Sequence, residues 1–255
     1  MRRLALGVLL TIGCVSGCHD DAAPSGGGES TSTTVIEATL DDAGLVADAV
    51  VANRDHKNAA FVATLPYGVA SFTLRGTVDW EHQGLSASVE PVVNGVAQQS
   101  FKIWVNSTSL LAERPGLAEA MVKLNQPAAC CSIATLNPEK VPLHQLVSLI
   151  GIFATSEREN PVLLKQDGLM RLPDTEMNGA TLQVFRLKRI TYAIDPTTRL
   201  LYRATTDLVN TGTTATIEFS QHGAAPPLAE APPDEQIVDE AAANSVLSGT
   251  TTTTQ

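Results

Sequence analysis

Residues 71–80 read SFTLRGTVDW, in which every even-numbered residue except Gly76 is large and apolar and every odd-numbered one is polar. Successive side chains of a β-strand point to opposite faces, so this alternation predicts a strand with one buried and one hydrated face. Sheets that are hydrated on one face are typically antiparallel. The stretch therefore predicts an antiparallel sheet whose apolar face is covered by other parts of the chain.

The segments that follow continue the same pattern. Residues 85–90 (LSASVE) and 101–105 (FKIWV) place apolar side chains at alternate positions, and Asn94-Gly95 between them is a typical hairpin turn sequence. Together with residues 71–80 they predict a meander of neighbouring strands.

Helices and further strands complete the predicted pattern. Apolar residues recur at helical spacing over residues 41–53 and 143–154, and Pro115 opens a shorter helical segment that ends at Leu124. From residue 161 onward we expect strands over residues 182–186, 190–194, 200–208 and 215–219, separated by turn sequences at 195–199 and 210–212. This order of helix, strands, helices and strands predicts an α+β fold.

At the N-terminus, Arg2 and Arg3 precede an uncharged run over residues 4–17. The run is shorter than the roughly 20 apolar residues that cross a bilayer as a helix, so it favours a cleaved signal over a transmembrane anchor. Its end, Val15-Ser16-Gly17-Cys18, resembles the lipobox of bacterial lipoproteins. The resemblance implies a signal peptide over residues 1–17, a diacylglycerol on Cys18, and a lipid-anchored protein on the extracytoplasmic side of the cell membrane. A secretory signal that is cut elsewhere, without lipidation, is the alternative.

The charge of the chain excludes one class of partner. Its formal net charge is −10, and cleavage before Cys18 would remove two arginines and make it two units more negative. Nucleic acids and anionic head groups are bound by clustered Lys and Arg, so we expect no nucleic-acid partner. Membrane attachment is instead expected through the acyl chains on Cys18.

Composition divides the chain into four parts. Residues 18–34 are small and polar and predict a lipidated, flexible tether, and residues 240–255, which end in a threonine-rich stretch, predict a flexible tail. Residues 35–239 contain all the predicted strands and helices, so we expect them to form one domain and the protein to be a monomer.

Short motifs in this domain resemble a known family. Residues 192–203 (YAIDPTTRLLYR) resemble the Y-x-I/V-D-x-x-T-G-L-x-x-R hairpin of the LolA-like lipoprotein carriers, which include the mycobacterial LppX and LprG type. Residues 219–223 (FSQHG), followed by Ala231-Pro232-Pro233, resemble the closing strand and exit segment of that group, and Gly76 matches a glycine in its first strands. Arg199 departs from the pattern, since it replaces the hairpin glycine, and Gln221-His222 replaces the usual Asp-aromatic pair.

The resemblance implies a particular version of the α+β fold. LolA-like and LolB-like proteins have a strongly curved antiparallel sheet, an open half-barrel, that helices cover and that encloses a lipid-sized apolar cavity. The apolar stripes of the predicted strands would then line this cavity, or else form an ordinary close-packed core. The candidate cavity-lining residues are Phe72, Leu74, Val78, Trp80, Ala87, Val89, Phe101, Ile103 and Ala204.

Two functions are therefore open. The first is a membrane-anchored lipoprotein that binds or carries an acylated lipid or lipoglycan in its cavity, with the lipid as its ligand. The second is an envelope interaction or regulatory lipoprotein with a filled core.

The sequence contains no motif that predicts catalysis. Its five histidines are scattered without metal-ligand spacing, and it lacks a nucleophile elbow, a phosphate-binding glycine loop and a dinucleotide fingerprint. We therefore expect no enzyme activity, no cofactor and no metal.

Cys130-Cys131 is the remaining unusual feature. Outside the cytoplasm thiols tend to oxidise, but adjacent cysteines bridge each other only through a strained ring. A vicinal disulfide, two buried free thiols and an intermolecular bridge all remain open.

Overall fold

The computed structural model describes residues 36–209 and 211–249. The predicted signal peptide, the lipidated Cys18 and the tether over 18–34 lie outside the described residues. The helices are α1 (Leu40–Asp55), α2 (Leu117–Lys123), α3 (Pro142–Ile152), α4 (Pro161–Gln166) and α5 (Glu240–Leu247). The strands are β1 (Ile36–Glu37), β2 (Asn58–Tyr67), β3 (Ala70–Asp79), β4 (Gly84–Val93), β5 (Val96–Ala97), β6 (Phe101–Val105), β7 (Ser109–Glu113), β8 (Cys131–Thr135), β9 (Met170–Met177), β10 (Ala180–Leu187), β11 (Ile190–Ile194), β12 (Leu201–Asp207), β13 (Thr214–Ser220) and β14 (Ile237–Asp239).

The strands of the described chain form one sheet. Its order is β1-β9-β10-β11-β12-β13-β2-β3-β4-β6-β7-β8-β14, and β5 pairs with β4 beside this path. Neighbouring strands are antiparallel except β8 and β14, which are parallel. The path has two ends and does not close on itself. The predicted α+β class with an antiparallel sheet is confirmed, but the sheet is not strongly curled, so the open half-barrel that the family resemblance implies is not found.

The alternating stretch over residues 71–80 lies at the centre of this sheet. Strand β3 pairs with β2 from Ala70↔Tyr67 to Asp79↔Asn58, and with β4 from Ala70↔Val93 to Asp79↔Gly84. Its even-numbered face is buried in the main core, where Leu74, Val78 and Trp80 are almost fully inaccessible. The predicted orientation of the strand is therefore confirmed.

The opposite face of β3 is less hydrated than the alternation predicts. Thr77 and Ser86 are buried, because the strap, which we define as residues 221–236 between β13 and β14, crosses this face. The backbone N–H of Ala229 donates to Ser86 Oγ at 2.8 Å, and Trp104 Nε1 donates to the Ala229 carbonyl at 3.0 Å. A connection between two distant strands thus covers a face that local periodicity assigns to solvent.

Helices α1 and α3 supply the other side of the core. Helix α1 starts with a capping box, in which Thr39 Oγ1 accepts from the Asp42 N–H at 3.1 Å and Asp42 Oδ2 accepts from the Thr39 N–H at 2.8 Å. Asn53 is fully buried near its end, donates to the Phe153 carbonyl at 2.8 Å and accepts from the Leu201 N–H at 3.3 Å. This single amide joins α1, the end of α3 and β12.

Several elements differ from the sequence-based expectation. The expected strands do not include β2, although its apolar residues alternate, and Pro161 opens helix α4 rather than a strand. The expected flexible tail over 240–255 is wrong for residues 240–247, which form α5. The small side chain of Ala243 is buried there with Leu117 and Met121 of α2. A short, alanine-rich helix has little apolar periodicity of its own, so packing on α2 decides its structure.

None of the described helices is long and apolar enough to span a membrane.

Gly76 allows β3 and β4 to approach each other closely. A Cβ placed on it would lie 2.0 Å from the Ser86 carbonyl oxygen and 2.7 Å from Ala87 Cβ. We expect Gly76→Ala to lower the free energy of unfolding by about 1–3 kcal/mol, the usual cost of overpacking, as measured by chemical denaturation.

Gly151 in α3 is the matched control, because a Cβ there would meet nothing within 4 Å. Gly151→Ala should leave stability unchanged or raise it, since alanine is the better helix former. Equal losses for the two variants would contradict the close approach at Gly76.

Candidate functional site

A pocket of about 320 Å³ lies between α3 and the ends of β3, β4 and β6. Its lining is mainly apolar inside and polar at the margin. The lining residues are Arg54, Val78, Asp79, Trp80, Gln83, Gly84, Leu85, Val105, Asn106, Ser107, Leu136, Val147, Ser148, Gly151, Ile152, Ala154 and Thr155.

The strand wall of the pocket follows from the register of the sheet. Val78 pairs with Leu85, and Leu85 pairs with Val105, so three apolar side chains from β3, β4 and β6 lie in one row. Each belongs to the inward-facing stripe of its strand.

The helix wall contains a gap in its side chains. Val147 and Gly151 are one turn apart on α3 and both border the pocket. Gly151 has no side chain, is exposed at the mouth of the pocket, and has no atom within 4 Å of its Cβ position. Ile152, which also borders the pocket, is exposed at its margin.

Trp80 is held in one orientation by contacts on several sides. Its Nε1 donates to the Ile150 carbonyl at 3.2 Å, and the Arg54 guanidinium donates to the Trp80 carbonyl. The ring centroid lies 5.7 Å from that of Phe219 and 6.4 Å from that of His222. A buried indole whose N–H is satisfied offers a rigid apolar surface to a ligand.

A charged pair lies at the margin of the pocket. His82 donates its backbone N–H to Asp79 Oδ1 at 2.9 Å, and its Nδ1 lies 2.8 Å from Asp79 Oδ2. Burial alone would raise the pKa of Asp79, but the hydrogen bonds from His82 outweigh it and lower that pKa. The same carboxylate raises the pKa of the exposed His82 through the side-chain hydrogen bond and its charge.

His222 lies behind Trp80 in a cluster of aromatic rings. Its ring packs near Tyr202 and His56, with centroid distances of 5.3 and 6.3 Å, and its Nε2 lies 3.1 Å from the Leu201 carbonyl oxygen. Burial lowers the pKa of His222. The fold therefore brings together two histidines that are far apart in sequence, in an aromatic cluster.

The candidate cavity-lining residues all lie in or against the main core, but few of them border the pocket. Val78 and Trp80 do. Leu74, Val89, Ile103 and Ala204 are fully buried in the core, and Phe72 and Phe101 pack against it while partly exposed. Ala87 is buried too, and it borders a separate, shallow recess of about 210 Å³ together with Ile103.

Sequence reasoning missed most of the pocket residues. Leu85 and Val105 lie on predicted stripes, and Val147 and Ile152 lie in the predicted helix over 143–154. Their periodicity identifies a buried face, but it does not say which helix turn lies over which strands.

A larger groove, of about 760 Å³, runs beside α1 and is lined by both apolar and charged residues. There Asp48 binds the guanidinium groups of both Arg158 and Arg199, the latter at 2.7 Å. Arg199 has a φ of 60°, the left-handed conformation for which the resembling family uses glycine. Both arginines of this groove pair with Asp48, and the pair with Arg199 joins α1 to the β11–β12 turn.

Cys130 and Cys131 form a disulfide with each other, so the structure adopts the vicinal ring among the open alternatives. Cys131 is fully buried at the start of β8, where it pairs with Glu113 of β7 and Ile237 of β14. Over the described residues, no three His, Cys, Asp or Glu side chains are grouped so as to hold a metal ion.

The sequence matches no protein-family model and no curated protein. The chain is similar to the crystal structure of an uncharacterized conserved protein from Thermus thermophilus, with a TM-score of 0.42 and 10% identity, over 78% of this chain and 99% of that chain.

The buried histidines predict a stability that depends on pH. Burial lowers the pKa of both His222 and His144 from the ordinary value of 6.5. The unfolded chain therefore binds protons that the folded chain does not, so stability is fully present above about pH 6.5 and is lost as the pH falls below it. We expect Tm to be lower at about pH 5.5 than at about pH 7.5, and His222→Gln to reduce this difference.

His82→Gln is the control, because the pKa of His82 is shifted in the opposite direction to that of His222. The pKa of His82 is raised, so its contribution is present below about pH 6.5 and is lost as the pH rises. Its removal should not reduce the loss of Tm at the acidic pH. A reduction as large as that in His222→Gln would show that burial of His222 is not the cause.

Proposed function

We propose that this protein is a lipid-anchored envelope lipoprotein that binds an acyl chain of a lipid or lipoglycan in the pocket between α3 and β3, β4 and β6. The observation that carries the proposal is the pocket itself. It combines a row of apolar strand residues, a fixed indole and a glycine of the helix with a polar margin. Ligand sites are typically of this kind, at roughly 300–1,000 Å³ with apolar walls and a few polar groups.

The size of the pocket favours a single acyl chain over a whole lipid. At about 320 Å³ it lies at the lower end of the usual range for ligand sites. An acyl chain gains about 0.8 kcal/mol for each CH₂ that it buries. The polar head or glycan would then stay outside, beside Gln83, Asn106 and Thr155, which can donate and accept hydrogen bonds.

The alternative is an interaction lipoprotein with a filled core. One observation favours it: Leu74, Val89 and Ile103, three of the candidate cavity-lining residues, are fully buried among other side chains. In both proposals the protein is a non-enzymatic monomer anchored by Cys18, without a cofactor or a nucleic-acid partner.

The dependence of binding on the length of the acyl chain distinguishes the two proposals. We expect the purified protein to bind palmitate at least tenfold more tightly than octanoate, as measured by calorimetric titration, because tenfold corresponds to about 1.4 kcal/mol, or roughly two buried CH₂ groups. Lipid that is extracted from the purified protein and identified by mass spectrometry should contain long acyl chains.

Filling the pocket tests its location. Gly151→Leu should weaken palmitate binding at least tenfold without lowering Tm, since a side chain there enters the open space. Lys123→Leu adds the same side chain at an exposed position in α2 and should bind as the native protein does. Equal affinities for both fatty acids and no effect of Gly151→Leu would favour the filled core.

Anchoring has its own test. Cys18→Ser removes the thiol that would carry the diacylglycerol, so the fraction of the protein that sediments with membranes should fall strongly. An unchanged membrane fraction would contradict the lipoprotein proposal.

A further inference from the structure

Two hairpin turns lie side by side at one edge of the sheet. The first connects β2 to β3 through Gly68 and Val69, and the second connects β4 to β5 through Asn94 and Gly95. They are joined because the Asn94 N–H donates to the Val69 carbonyl at 2.9 Å and Ala70 pairs with Val93. We call residues 66–70 and 92–97 together the hairpin tip.

The hairpin tip exposes large apolar side chains. Val69 is 71% exposed, Val96 is 61% exposed and Tyr67 is 50% exposed. Val69 is the most exposed of the large apolar residues in the described chain. Exposed apolar side chains that are grouped in this way mark a surface that contacts another apolar phase, whereas single ones are common on any protein.

The hairpin tip and the strand ends behind it carry no charge. Residues 65–74 (LPYGVASFTL) and 91–101 (PVVNGVAQQSF) contain no Asp, Glu, Lys, Arg or His, although charged residues make up 17% of the chain. The first charges lie directly behind these segments, where Arg75 and Glu90 form an ion pair at 3.6 Å and Lys102 follows Phe101. The result is an uncharged cap above a charged zone.

The backbone of the tip suits an environment that is poor in water. Both turns are tight, with positive φ at Gly68, Asn94 and Gly95, and the flanking strands keep their ladder up to Tyr67↔Ala70 and Val93↔Val96. Few backbone groups therefore lose hydrogen bonds to water if the tip enters the interface of a bilayer. Tyrosine is enriched at that depth, because its ring is apolar and its hydroxyl is polar.

We propose that the hairpin tip dips into the lipid surface to which the protein is anchored. The membrane is the occupant that the sequence and the sheet topology favour. Seventeen residues separate Cys18 from Ile36, and such a segment has a root-mean-square span of roughly 21–25 Å if it is flexible and reaches about 56–61 Å when fully extended.

That reach matches the position of the tip. Strand β1 lies near the same edge of the sheet as the tip, since Glu37 pairs with Met170, and Met170 with Arg186 beside the β10–β11 turn. Ile36 lies on the side of Glu37 away from this edge, so Cys18 comes level with the tip only if the chain before Ile36 turns back. Six strand spacings, or about 29 Å at the usual separation, lie between β1 and β2. An anchor at Cys18 therefore lets the tip touch the bilayer.

The proposal rests in part on anchoring at Cys18 and adds an orientation to it. If the tip enters the bilayer, the turn at the opposite edge, residues 195–199 between β11 and β12, faces away from it. Because the tip is uncharged, its contact with lipid does not depend on ionic strength, in contrast to attachment by a basic patch.

A tryptophan at the tip tests the contact directly. The full-length acylated protein carrying Val69→Trp is reconstituted into phosphatidylcholine vesicles that contain lipids brominated in their acyl chains. We expect its added fluorescence to be quenched at least twofold more than that of Thr197→Trp, an exposed position at the opposite edge. The signal of native Trp80 and Trp104 is subtracted with the unsubstituted protein.

A second variant separates insertion from proximity. Val96→Asp, added to Val69→Trp, places a charge in the tip at an exposed position that does not endanger folding, and it should abolish most of the quenching while the protein still floats with the vesicles. Quenching in the Val69→Trp protein should be the same at low and high NaCl.

The outcomes keep the two proposals apart. Protein that floats with the vesicles but shows equal quenching at positions 69 and 197 overturns the tip contact and leaves the anchor intact. Protein that does not float at all overturns both.

Discussion

The burial of one face of the β2–β3–β4 ladder in a core shared with α1 and α3 is the constraint on which the rest of this structure depends. These strands pair over their full length, and their inward side chains form a single core with the apolar residues of both helices. Asn53 adds a polar connection at the centre, where an unsatisfied amide would cost about 1–3 kcal/mol. The positions of α1, α3 and β12 therefore depend on one another, and together they set the size of the space between them.

The pocket arises where this packing is interrupted. Trp80 ends the buried stripe of β3 and is fixed by Ile150, one residue before Gly151. Gly151 borders this pocket without a side chain, and Val78, Leu85 and Val105 form its strand wall. A pocket of this size with an apolar wall beside a rigid indole is the feature on which the ligand proposal rests.

The two ends of the central strands have different physical characters. At one end lie the pocket, the Asp79–His82 pair and the aromatic cluster around His222. At the other lies an uncharged tip with exposed valines. In the arrangement that we propose, the tip contacts the lipid surface and the mouth of the pocket lies at the far end of β3, roughly 30 Å away by the rise of a ten-residue strand. A bound acyl chain would then be held apart from the bilayer.

The alternation in residues 71–80 determined the strand, its buried face and the antiparallel class. Helical spacing determined α1 and α3. Both could be predicted because periodicity is local information that each segment carries by itself. Tertiary structure decided what depends on segments far apart in the chain. The strap buries Thr77 and Ser86, and packing on α2 turns residues 240–247 into a helix. Only the contact between Trp80 and Ile150 shows which residues of the apolar stripes border the pocket. Such contacts depend on how elements lie over one another, and neither the composition of a strand nor its period specifies which turn of which helix will cover it.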